Sequence, residues 1–203
     1  MSASSASAAA IVFEPEFLAG LTTIFEEKIV FNQLLGLKVT SIAPQQVVAR
    51  IDMRPELVGH YAYNRIHGGV ISAGLDAMGG LAVMAAIGAK HMSEPPEQRL
   101  HRFAKLGTID LRIDYLRPGI GSHFELRAEV LRLGSRVATT RMEFFGPDGQ
   151  LMSAGAAAYI VSYVVLRRRR WACGPASLAS ACYERTVWLL LLRKMATFAG
   201  MKT

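Results

Sequence analysis

Between Arg65 and Lys90 the chain carries one formally charged side chain, Asp76, in an otherwise apolar and small-residue run. No other stretch constrains the fold as strongly. The run from Gly69 to Ile87 is too long for a strand and predicts one helix that is apolar on most of its circumference. Such a helix must be covered on several sides, by other elements or by lipid. Six glycines (Gly68, Gly69, Gly74, Gly79, Gly80, Gly88), His67 and Asp76 itself argue against lipid. A mid-span Asp alone costs roughly 2.5–3.5 kcal/mol there. The expectation is a core helix inside a folded body.

The flanking patterns say what covers it. Phe17, Leu18, Leu21, Ile24, Phe25 and Ile29 recur at three- and four-residue spacing, which predicts an amphipathic helix from about Glu14 to Asn32 that stops near Gly36. Leu37–Ile42 and Val47–Met53 read as strands separated by the turn Ala43-Pro44-Gln45. A loop with Pro55 and Gly59 leads to the central helix, and Ser93–Lys105, with two prolines, reads as an excursion. In Thr108–Leu116 the period is two: Ile109, Leu111, Ile113 and Tyr115 point one way, Thr108, Asp110, Arg112 and Asp114 the other. His123–Leu133, Arg136–Phe145 and Leu151–Val161 complete a meander with short turns at Gly134-Ser135 and Gly146-Pro147-Asp148-Gly149. The predicted class is α+β, an antiparallel sheet curled around one long central helix, with an N-terminal helix. Ala73, Gly74, Ala77 and Gly80 are expected to let strands approach that helix closely.

Charge divides the chain. The 203 residues carry a net charge of +7, yet up to Tyr163 fifteen Lys and Arg balance fifteen Asp and Glu. The whole excess lies in residues 164–203, where eight bases, four of them at Arg167–Arg170, face Glu184 alone. The expected organisation is a disordered leader at 1–13, a domain at 14–163 and a basic, apolar extension at 164–203. A charge confined to an extension removes the main support for a nucleic-acid partner. Val187–Leu192 is too short to span a bilayer, so a membrane-contacting role for Arg167–Arg170 and Trp171 ranks below a loosely ordered extension. Both cysteines, Cys173 and Cys182, lie there too, so residues 1–163 have no thiol nucleophile, thiolate metal site or disulfide. That usage fits a reducing cytoplasm, and the leader lacks the basic start of a secretory signal.

Asp76 has the strongest physical claim to function. A carboxylate about two turns into an apolar helix must be paired, hydrated or chemically employed, and in a desolvated cleft it becomes a stronger base or nucleophile. His67-Gly68-Gly69 precedes it, where uncovered backbone N–H groups at the positive end of the helix suit a developing oxyanion. The run from His67 to Asp76, an HGG followed by an acid nine positions after the His, resembles the signature of hotdog-fold acyl-CoA thioesterases of the phenylacetate-degradation (PaaI-like) branch. The strand ending Tyr115-Leu116-Arg117-Pro118-Gly119 is similar to the same branch, and especially to its YigI-type medium- and long-chain acyl-CoA thioesterases. The resemblance runs from about Phe25 to Tyr163.

The resemblance implies hydrolysis of medium- to long-chain acyl-CoA to free fatty acid and CoA, without cofactor or metal. By it Asp76 is the general base or nucleophile, Gly68 the backbone donor to the carbonyl, His67 the shaper of the turn and Thr108 a positioner of water. Gly69, Arg117, Arg132 and Arg136 are candidates for holding the substrate, the arginines through CoA phosphates. Relatives often carry an Asn six or seven residues before the motif histidine, where this chain has Tyr61 and His60; Asn64 or His60 is the candidate substitute. The resemblance further implies a homodimer or dimer of dimers, a homotetramer in the latter case, with active sites between subunits. The competing readings are a hotdog dehydratase or hydratase of 3-hydroxyacyl thioesters, and a non-enzymatic, membrane-associated acyl-CoA-binding protein.

Overall fold

The computed structural model describes residues 11–161. The expected leader up to residue 10, residues 162–163 of the expected domain, and the whole basic extension at 164–203 with both cysteines lie outside the described residues. Phe13, at the end of the expected leader, is buried and packs its ring 5.0 Å from that of Phe17.

The predicted N-terminal helix is three pieces. Helix α1 (Pro15–Thr23) starts with proline in its first turn and buries Phe17 and Leu21. It widens into a π-turn at Ile24–Lys28, breaks at Ile29, whose backbone is extended, and resumes as α2 (Val30–Leu35). Gly36, in the left-handed region at φ 68°, ends it. The break has identifiable supports. Buried Asn32 donates from Nδ2 to the Phe25 carbonyl at 3.0 Å, and Glu26 accepts the Val39 N–H at 2.7 Å. Periodicity cannot reveal such a break, because the apolar stripe continues across it.

Among the described residues, eight strands follow the expected order with two additions. β1 (Leu37–Ile42) and β2 (Val47–Asp52) form the first hairpin. The loop with Pro55 contains two short strands, β3 (Val58–His60) and β4 (Arg65–Ile66), paired as a separate ribbon. Helix α3 (Gly68–Lys90) comes next. The excursion holds a short helix, α4 (Pro96–His101), whose Arg99 is fully buried. Its guanidinium pairs with Glu14 and lies 4.4 Å from the Phe17 ring centre, tying α4 to α1. β5 (Gly107–Tyr115), β6 (His123–Leu133), β7 (Val137–Phe145) and β8 (Leu151–Ile160) complete an antiparallel sheet ordered β1-β2-β6-β7-β8-β5.

That sheet curls around α3, as the apolar helix demanded. α3 is long and apolar enough to cross a membrane, but 67% of its most apolar window is buried within the fold. Phe124 and Phe144, both fully buried, stack beneath it with ring centres 5.0 Å apart. Of the small residues expected to admit strands, Gly74 does so: a side chain there would come within 2.8 Å of Leu126. Ala73, Ala77 and Gly80 instead face a cavity. The closest approach of the sheet is at Gly79, where a Cβ would overlap the Tyr159 hydroxyl.

One expectation about β5 is corrected. The register against β8 shifts between Thr108 and Asp110, so Ile109 is an extra residue in a β-bulge. Thr108 therefore shares the face of Leu111, Ile113 and Tyr115 instead of that of Asp110. Ile109, expected on the buried face, is 55% exposed. A side-chain period of two is reset by one inserted residue, and alternation alone does not mark where.

Candidate active site

Asp76 sits two turns into α3, on the stripe that includes Ala73, Ala77, Gly80 and Met84. The small residues Ala73, Ala77 and Gly80 leave open space along this side of the helix. A cavity of about 370 Å³ opens along it, walled on the far side by Ile24, Phe25 and Phe31 from the π-turn and α2. The lining is mostly apolar, and Asn32, Asp76, Thr108 and Tyr159 are its polar side chains. The broken N-terminal helix thus forms one wall of the candidate site, a role that its periodicity did not suggest.

The Asp76 carboxylate is fixed from two strands. Thr108 Oγ1 donates to Oδ1 at 2.9 Å, from the re-aimed start of β5. The Tyr159 hydroxyl, from β8, lies 2.9 Å from the Asp76 carbonyl and 3.2 Å from Oδ1. Burial pushes the Tyr159 phenol well above its usual range, and the Asp76 charge beside it adds to the effect. The phenol therefore stays protonated and serves as a donor. Among the described residues no hydrogen bond engages Asp76 Oδ2, which leaves one carboxylate oxygen open to a reactant.

Tyr159 was not anticipated. Its signal lay in two places: a tyrosine on the inward face of the last strand, and a glycine in the helix, Gly79, that makes room for it. Neither identifies the other without the strand order.

The N-terminus of α3 is built around His67. As the N-cap, its Nδ1 accepts the Gly69 N–H at 2.8 Å, which puts the proton of the neutral ring on Nε2. Gly69 is thereby spent on the cap. The Gly68 N–H, one of the orphan donors of a first helical turn, has no acceptor among the described residues. Tyr115 anchors the same turn by donating from its hydroxyl to the Gly68 carbonyl at 2.9 Å.

Within one chain these two centres do not meet. Eight residues of helix separate Gly68 from Asp76, about 12 Å along the axis. A carbonyl at the Asp76 carboxylate is out of reach of the Gly68 N–H of the same chain.

The remaining candidates are dispersed. Asn64 is exposed, occupies the left-handed region at φ 47° and closes the turn between β3 and β4, away from the Asp76 cavity. Arg117 donates to the Leu151 carbonyl at 2.8 Å beside Gly68, at the start of α3. Arg132 and Arg136 flank the β6–β7 turn, whose Gly134 and Ser135 border a cavity with Lys90 and His91 at the other end of α3. The three arginines therefore do not form one patch. Among the described residues, no three His, Cys, Asp or Glu side chains gather as metal ligands.

Known proteins resemble this chain in sequence and fold. A sequence model described as "Thioesterase superfamily" matches residues 63–153. The medium/long-chain acyl-CoA thioesterase YigI of Salmonella typhimurium is 34% identical over 131 residues, covering 64% of this chain and 84% of the relative. A Shewanella oneidensis structure, described as related to the thioesterase superfamily, superposes with a TM-score of 0.68 at 35% identity, over 74% of this chain and 100% of its own. Mouse thioesterase superfamily member 2 shares the fold, with a TM-score of 0.56 at 17% identity, over 71% of this chain and 96% of its own.

Proposed function

This chain belongs to the thioesterase superfamily, and from that premise we propose that it hydrolyses medium- to long-chain acyl-CoA thioesters to free fatty acid and CoA. The observation that carries this reading is a carboxylate held by two hydroxyl donors in the wall of a mostly apolar cavity. The apolar walls suit an acyl chain, and the carboxylate suits the reacting carbonyl. The YigI relatives support the substrate class.

In this mechanism Asp76 takes a proton from a water that attacks the thioester carbon, or attacks that carbon itself to give an anhydride that water then opens. The carbonyl oxygen gains charge as either bond forms, and a backbone N–H stabilises it. Collapse breaks the C–S bond. The electron pair leaves with sulfur, and CoA departs as the thiol once protonated. Thr108 and Tyr159 hold Oδ1, so that Oδ2 faces the water or the carbonyl. The Thr108 hydroxyl thus orients the carboxylate, and its oxygen remains able to accept from the attacking water.

The oxyanion donor is the Gly68 N–H of a second copy of the chain, because the 12 Å separation within one copy, about eight helical residues, is too great. The working unit is thus at least a homodimer. His67 and Gly69 keep the Gly68 donor free by pairing with each other. Arg117, beside that donor, and Arg132 and Arg136, at the far end of α3, are the groups offered to CoA phosphates.

Incubation with a long-chain acyl-CoA is expected to release thiol and fatty acid in equal amounts. Consumption of a 3-hydroxyacyl-CoA without thiol release would instead favour the hydratase chemistry of related folds.

A further inference from the structure

Thr108 reaches Asp76 only because β5 is bulged at Ile109, and an acid that the chemistry does not use sits at that bulge. In the ladder with β8, Thr108 pairs with Tyr159 and Asp110 with Ala158, leaving Ile109 without a partner. Where the extra residue interrupts the ladder, the Ala158 N–H donates to the Asp110 side chain, at 3.0 Å to Oδ1. A side-chain carboxylate thus supplies an acceptor at the irregular step. Among the described residues of one chain, β5 is the edge strand of the sheet. An unbulged β5 would return Thr108 to the face of Asp110 and Arg112, turned away from α3.

We propose that Asp110 is a positioning residue: its carboxylate clamps the bulge to the Ala158 amide and thereby keeps the Thr108 hydroxyl on Asp76. The inference rests on the proposed catalytic role of Asp76. Asp110 touches neither substrate nor the reacting atoms, and what the clamp requires of it is an acceptor oxygen, not a charge.

Three variants test this. Asp110→Ala is expected to lower kcat about tenfold with KM within about twofold, because the lost interaction serves the transition state more than binding. Thr108→Val is expected to do the same, and Asp110→Ala is expected to add little in the Thr108→Val background. Asp110→Asn keeps an oxygen that can accept from Ala158 and is expected to retain most of the rate. Losses that simply multiply in the double variant would overturn the proposal, as would an Asn variant as impaired as the Ala variant. If Asp110→Ala does not fold, Asp110→Asn decides alone: a kcat as low as that of Thr108→Val overturns the clamp, and a retained kcat supports it. Amide exchange provides a readout independent of turnover. The Ala158 amide is expected to exchange faster in Asp110→Ala and at the wild-type rate in Asp110→Asn; an unchanged rate in the Ala variant contradicts the clamp. If the wild type hydrolyses no thioester, the catalytic reading fails, while the exchange experiment still judges the clamp.

Discussion

Asp76→Asn is expected to lower kcat for acyl-CoA hydrolysis by about 10²–10⁴-fold, the range contributed by a positioned acid or base. The substitution is nearly isosteric. The amide oxygen can still accept from Thr108 Oγ1 and Tyr159, so the two strands that meet α3 at this point keep their contacts. What is lost is the negative charge and the capacity to take a proton or form an acyl bond. KM and the unfolding midpoint are therefore expected to remain close to wild type, and the loss to appear in kcat. Hydrolysis at the wild-type rate would remove Asp76 from the chemistry. A collapse of stability would show that its role is structural.

Phe124→Ala is expected to cost about 3–5 kcal/mol, the usual range for truncating a buried aromatic. Phe124 lies on the concave face of β6, fully buried, with its ring stacked on Phe144 under the central helix. The space it would vacate is bounded by strands hydrogen-bonded on both sides, β2 and β7, which cannot close inward without losing register. Since a domain of this kind is stable by only about 5–15 kcal/mol in total, the variant should be marginal. Denaturant titration measures it: a large fall in midpoint with little change in slope is the expected result. A loss under about 1 kcal/mol would mean that the sheet does not enclose the helix as tightly as its burial indicates.

The sequence announced the architecture through one conflict, an apolar helix with a single acid in it. Only a surrounding sheet resolves that conflict in water, and the alternation of residues 108 to 161 supplied the strands. The HGG turn and Asp76 were legible for the same reason: glycines and a lone carboxylate stand out against an apolar background. What stayed hidden depends on local departures from period. The bulge at Ile109 reversed the facing of Thr108, and no residue type there demands it. The break at Ile29 turned a helix into a cavity wall while the apolar stripe ran on unchanged. Tyr159 and Asp76 are 83 residues apart, and their contact follows from β8 lying next to β5, an adjacency set by the whole sheet. Arg99 stands in the proline-flanked excursion, where nothing in the sequence singles it out, yet it is buried between Glu14 and Phe17.

In the proposed reaction the cavity beside Asp76 receives the acyl chain of a thioester that the carboxylate then hydrolyses. Its most direct test is kcat/KM for thiol release across acyl-CoAs of increasing chain length. Each methylene buried against Ile24, Phe25, Phe31 and Met84 contributes about 0.8 kcal/mol, or up to about fourfold in kcat/KM. The expected result is a rise from short to medium and long chains that levels off once the cavity is filled. Thiol release that is fastest with the shortest chain, or absent at every length, would contradict it.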